Sequence, residues 1–151
     1  MDYLRYMLRI SLRAFLKFAK AASVAGYRRA APADVLEVAR LVCMLHEDCG
    51  SCVQIGVNNA KKSGVPANAL RAVLDRRPED LPDGLADVYH FAHEVNEHSG
   101  AEGPYRERIR DRWGEEALVE VALAVATCRV FPITKRALGY ATSCSKVTVE
   151  V

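Results

Sequence analysis

Two stretches of this chain, LEVARLVCML at residues 36–45 and LVEVALAVATC at 118–128, are apolar nearly all the way round a helix. A helix without a polar face is stable only when other elements cover it on every side. The chain must therefore wrap further helices around these two, and its remaining pattern supplies them. A first helix is expected from about Asp2 to Tyr27, and Ala31-Pro32-Ala33-Asp34 opens a second that ends near Glu47. Asp48 is a candidate N-cap for a third, Cys49 to Ser63, closed by Gly64. A short helix follows Pro66 to about Leu74, then one from about Leu85 to His98. Pro104 starts a charged helix ended by Gly114, and two last helices cover roughly 115–129 and 132–143. RRPEDLPDG reads as a hinge between two halves. KVTVEV at the end alternates like a strand but has no obvious partner, so it reads as an extended tail. The expected fold class is an all-α helical bundle, one domain over 1–151. Its parts are an N-terminal amphipathic helix (1–30), a first unit (33–74) and a second unit (85–145).

The 151 residues suffice for one buried core. A net charge of +2 is too small to argue for nucleic acid. Five cysteines, odd in number and unevenly spread, suit a reducing compartment better than a disulfide framework, so a cytoplasmic location is expected. In the N-terminal helix Arg5, Arg9, Arg13 and Lys17 form one stripe, and Leu4, Leu8, Leu12, Phe15, Leu16 and Ala19 form the adjoining apolar face. No uninterrupted apolar run approaches the roughly 20 residues of a membrane span. The face is expected to pack on its own domain or on a neighbouring subunit rather than on a membrane.

The two apolar helices each hold one glutamate, Glu37 and Glu120, and aligning these aligns EVA with EVA and Val42 with Val125. Gly56 then falls on Gly139. The pattern is that of a weakly duplicated helix-turn-helix unit. Only the first copy carries Cys49-Gly-Ser-Cys52; its counterparts in the second are Pro132 and Lys135.

Cys49 and Cys52 can be a redox dithiol, part of a metal site, or two buried small residues. At a helix N-terminus the partial positive charge stabilises a thiolate. Glu47 and Asp48 oppose this by raising a thiol pKa. Glu37, on the preceding helix, can fold back against the sulfurs as a proton acceptor, or pair with Arg40 one turn on as a structural ion pair. Cys43, His46, Cys49 and Cys52 recur every third residue and are all zinc-ligand types, though they come from one helix–turn–helix rather than two separated knuckles. In HFAHEVNEH, His90, Glu94 and His98 share a face with His93 and Glu97 alongside, but a di-iron bundle needs Glu-x-x-His pairs on two helices. A solvated polar face is the expected reading there, as it is for RERIRDR. Cys128 and Cys144 are expected to be buried or interfacial.

Glu37, twelve residues, Cys49-Gly-Ser-Cys52, then Ala60 and Gly64 resembles the pattern of the carboxymuconolactone decarboxylase / alkylhydroperoxidase AhpD-like family. The similarity covers about residues 33–74. The family pattern has a histidine four residues beyond the C-x-x-C, where this chain has Gly56. In the peroxidase branch that histidine relays a proton through water between the glutamate and the reactive cysteine. His46, three residues before Cys49, is the alternative relay residue. The decarboxylase branch generally lacks the cysteine pair.

The resemblance implies an all-helical subunit assembled into homo-trimers or homo-hexamers, with thiol-dependent reduction of hydroperoxides as its activity. Cys52 would attack the peroxide, Cys49 would resolve it, Glu37 would be the base, and a dithiol or lipoyl-like electron donor would reset the pair. No metal, haem or flavin is implied. Two other functions stay open: a non-enzymatic oligomeric scaffold with a vestigial or redox-sensing dithiol, and a zinc-binding protein.

Overall fold

The computed structural model describes residues 2–140, and every regular element among them is a helix. The chain is all-α. The KVTVEV tail and Cys144 lie outside the described residues. The elements are α1 (Asp2–Ile10), α2 (Leu12–Ala25), α3 (Ala33–His46), α4 (Gly50–Lys62), α5 (Ala67–Leu74), α6 (Asp83–Glu97), α7 (Gly103–Cys128) and α8 (Val130–Ala137). A short 3-10 turn, Pro78–Asp80, joins α5 to α6.

The first apolar stretch, on α3, makes the centre, whereas the second, on α7, buries only one face, with Val119 55% exposed. α3 packs on α4, α5, α6 and α7, and α7 also packs on α2 and α6. Val35, Leu36, Val38 and Leu41 of α3 and Val121 of α7 are each 1% exposed or less. Burying such side chains contributes about 1.5–3 kcal/mol apiece. The span 103–137 is also long and apolar enough to cross a membrane by length and composition. Here the apolar part of α7 turns one face to the core and buries a carboxylate, Glu120.

Three connections differ from the sequence reading. The single N-terminal helix is broken at Ser11, whose backbone is extended and whose Oγ accepts from the Ala14 N–H at 3.1 Å. A serine so placed caps a new helix, which the apolar periodicity does not reveal. The chain doubles back, so Tyr3 of α1 reaches Phe18 of α2, and Phe18 packs edge-on against Phe131 of α8 at 5.4 Å. The break also splits the expected apolar face. Leu4 turns inward, while Leu8 (46%), Leu12 (58%) and Leu16 (54%) remain exposed.

Second, RRPEDLPDG, read as a hinge, holds a 3-10 turn over Pro78–Asp80. Leu81 is buried, and Arg77 bridges Asp75 at 3.0 Å and Asp80 at 2.9 Å. Third, a single turn residue, Arg129, separates α7 from α8, and α8 covers Val130–Ala137 rather than 132–143. The expected break at Gly114 is present: its φ of 87° is open to glycine and interrupts the helix between the charged segment and the apolar one.

Candidate functional site

α3 ends at His46, and Asp48 takes a left-handed conformation, φ 48°, that aspartate tolerates better than most residues. Asp48 is thus the reversal between α3 and α4 and not the N-cap. Cys49 occupies the cap position itself, and its carbonyl accepts from Cys52 N–H at 2.8 Å and Val53 N–H at 2.9 Å. Cys52 lies in the first turn of α4, and the two cysteines form a disulfide with their Cα atoms 5.2 Å apart. Cys49 is buried, while Cys52 is partly exposed.

Cys52 opens into a cleft of about 1070 Å³ between the N-terminal helices and the α3–α4–α8 face. Glu37 lies in the wall of the same cleft, 8% exposed. The tertiary fold therefore brings Cys52 and Glu37 to one cavity. Glu37 is not alone there: Arg40 donates to its Oε1 at 2.7 Å and to the Ala25 carbonyl at 2.5 Å. The ion-pair arrangement of Glu37 is the one observed, in the wall of the cleft that holds the disulfide.

His46 goes elsewhere. Its Nδ1 stands 3.1 Å from Glu97 Oε1, in a small depression shared with His93 on the α6 side of α3. It does not line the cleft, so the structure does not join it to Glu37 and Cys52. Nor is space left beside Gly56. A Cβ there would lie 2.7 Å from Met44 Sδ and 2.9 Å from Leu41 Cδ2. Apolar side chains fill the position where a relay histidine would begin.

Glu47 does not act as an unscreened charge beside the cysteines. It is buried, with Arg129 Nε at 2.7 Å, Arg136 Nη1 at 3.1 Å, and Arg136 Nη2 bonded to its carbonyl at 2.6 Å. Lys135 donates to Ser51 Oγ at 3.0 Å, and that hydroxyl stands 3.7 Å from Cys49 Sγ. An ammonium beside the C-x-x-C turn favours a thiolate once the pair is reduced. Arg129, Lys135 and Arg136 are site residues that sequence reasoning missed. They lie more than 80 residues from their partners, and no spacing rule connects them.

The possible zinc quartet is not gathered. Cys49 and Cys52 are bonded to each other, His46 faces Glu97, and Cys43 accepts from Asn96 Nδ2 at 3.1 Å. Among the described residues no three His, Cys, Asp or Glu side chains stand together as a metal-holding group. Cys43 is fully buried, and the Cys128 thiol of α7 donates to the Val125 carbonyl at 3.2 Å. The neighbouring Cys128 thiol, with Asn96 and Arg129, outweighs burial and holds the Cys43 thiol below its ordinary value. The Cys43 thiol and burial push Cys128 up. The α6 histidines are dispersed as well. His90 stacks on Tyr105 at 4.9 Å, His93 stacks on Tyr89 at 6.3 Å, and Glu94 accepts from Ser99.

Compared with protein-family models, curated proteins and solved structures, the chain has no match in any of the three.

Glu120, which the sequence pattern sets in register with Glu37, has surroundings that are different in kind. It is 1% exposed and accepts three backbone N–H bonds, from Arg29 at 2.6 Å, Ala30 at 3.0 Å and Ala31 at 2.8 Å. Burial pushes its carboxyl up, but those donors, with Arg28 nearby, together hold it below the ordinary value. Glu120 clamps the loop between α2 and α3, and so fixes the wall of the cleft that the N-terminal helices form.

Proposed function

We propose that this chain is a thiol-dependent oxidoreductase of the AhpD-like type, with a hydroperoxide as oxidant and the Cys49/Cys52 dithiol as its redox centre. The observation that carries the reading is the shared cleft: Cys52, half of a disulfide at a helix N-terminus, lines the same cavity as the buried Glu37. In the reduced protein the Cys52 thiolate attacks the distal peroxide oxygen, forming a sulfenic acid and releasing the alcohol after protonation. The Cys49 thiol condenses with the sulfenic acid, giving the disulfide and water. A dithiol donor, lipoyl-like by resemblance, reduces the disulfide by two exchange steps and leaves as its own disulfide. Glu37 accepts the proton of Cys52, and Arg40 orients its carboxylate. Lys135, through Ser51, adds positive charge at the turn. On this reading α3–α4 and α7–α8 descend from a duplicated unit, and the protein works in a reducing cytoplasm. A homo-trimer or homo-hexamer would cover Leu8, Leu12, Leu16 and Ile10, which is 64% exposed, and such apolar exposure marks an interaction surface.

A second reading is favoured by one observation. The Gly56 site is closed by Met44 and Leu41, so the relay of the peroxidase branch has no counterpart there. That suits a non-enzymatic oligomeric scaffold with a vestigial or redox-sensing dithiol. The two readings separate on the reduced protein. The enzyme predicts hydroperoxide consumption with a dithiol donor and one cysteine that alkylates quickly below about pH 7. If peroxide persists across a panel of dithiols, the peroxidase reading is wrong; if both cysteines also alkylate slowly, the scaffold stands.

A further inference from the structure

We propose that the cleft that Cys52 lines is a binding site for an amphipathic monocarboxylate, an aliphatic body with one negative end. The cleft's volume, about 1070 Å³, lies at the upper end of sites that enclose small organic ligands, roughly 300–1,000 Å³. Its walls are largely apolar, and Leu4, Met44, Ile55 and Phe131 set their character. Ile55 illustrates the point: it is 55% exposed on the cleft side of α4, an apolar side chain left half in water. A purely apolar cleft would accept any greasy molecule, but this one carries a charge imbalance.

The lining includes four cations, Arg28, Arg40, Lys62 and Lys135, against one carboxylate, Glu37. Arg40 and Glu37 neutralise each other at 2.7 Å. Arg28 spends part of its field on Glu120. Lys135 is bonded to a neutral hydroxyl, that of Ser51, and Lys62 makes no ion pair among the described residues. Two ammonium groups thus border an apolar cavity without a countercharge. A ligand complementary to both features has an aliphatic body and a single anionic head. A cationic or neutral amphiphile matches the walls and fails at the lysines. Under the proposed function this ligand is the organic part of the hydroperoxide, and to that extent the substrate class rests on the preceding reading. The binding itself does not.

Isothermal titration of the oxidised full chain with decanoate, decanol and decyltrimethylammonium tests it. Decanoate is expected to bind at one site, with decanol at least about tenfold weaker and the cation weaker still. Lys62→Gln/Lys135→Gln, at two solvent-accessible positions, is expected to weaken decanoate about tenfold while leaving decanol unchanged. Decanol binding as tightly as decanoate, no saturable decanoate binding, or a double variant that binds like wild type would each overturn the site. Peroxide turnover plays no part in the measurement. Failure here with peroxide consumption intact sinks only the ligand class, and decanoate binding without turnover sinks only the peroxidase.

Discussion

The two glutamates that the sequence sets in register, Glu37 and Glu120, occupy similar helices and do different work. Glu37 pairs with one guanidinium in the wall of an open cleft, beside a disulfide. Glu120 is sealed, and three backbone N–H groups converge on it. The first carboxylate is available to a ligand, while the second is consumed by structure. The helices that follow diverge in the same sense. α4 begins with Cys49 and Cys52, whereas α8 has Pro132 and Lys135 at the aligned positions. Those two α8 residues line the same cleft as Glu37 and Cys52. The lesson is that α8, which carries no cysteine pair, still shapes the site, as its wall and as a source of positive charge.

This contrast can be broken or sharpened by substitution. The largest effect is expected for Cys52→Ser, which should reduce dithiol-dependent peroxide consumption to the uncatalysed background; Pro132→Ser, at the aligned first position of the other unit, tests whether α8 matters only as scaffold and should retain the activity of whatever fraction folds. Glu37→Gln comes next, with a loss of roughly 10²–10⁴-fold in peroxide turnover, the range for removing a positioned base. Its denaturation midpoint should move little, because Arg40 keeps its bond to the Ala25 carbonyl. A Glu37→Gln protein that turns over normally would make the two glutamates alike.

Glu120→Gln should show the reverse pattern. It leaves donors of the 29–31 loop poorly paired in a buried place, so urea unfolding should register a loss of roughly 2–4 kcal/mol. Thiol reactivity of the folded fraction should persist. The pH dependence follows from the sign of the shift. Glu120 is held below its ordinary value of 4.5, so its contribution to stability is present above that pH and is lost as pH falls through the lower folded value. Wild type should therefore lose stability below about pH 4.5 more steeply than Glu120→Gln, as read by urea midpoints across that range.

Gly56→Ala should cost about 1–3 kcal/mol, since Met44 and Leu41 must yield to one added methyl; Met44→Ala in the same background should recover part of it. The smallest expected effect is that of Lys135→Gln, a few-fold slower alkylation of the reduced pair at neutral pH. An unchanged alkylation rate would remove α8 from the electrostatics of the turn.

Most of the fold was legible because burial and helix period are local signals. The all-round apolar character of residues 36–45 placed them at the centre, and Gly114 marked its own break, whereas 118–128 buries one face and leaves Val119, Ala122 and Ala126 exposed. The break at Ser11 was hidden, since a serine in an amphipathic run is as consistent with a helix surface as with a cap. At the candidate site, the sequence offered Cys49, Cys52 and Glu37 as candidates with several roles open, and the fold places Cys52 and Glu37 in the lining of one cleft. The direction of His46 was not legible: both faces of α3 are covered, by α4 on one side and α6 on another, and nothing in the sequence says that position 46 turns toward Glu97.

The sequence by itself determined that this chain is helical, that the helix over 36–45 is buried, and that a cysteine pair follows a glutamate of that helix by twelve residues. These are properties of neighbours along the chain, read through helix period and local charge. The tertiary structure alone decided that Glu37 and Cys52 share a cleft while His46 does not. It alone filled the space at Gly56 with Met44 and Leu41, and brought Arg129, Lys135 and Arg136 to the cysteine turn. The reason is that residues more than 80 positions apart meet only through the packing of α3, α7 and α8, and many side-chain patterns are compatible with the same helical period.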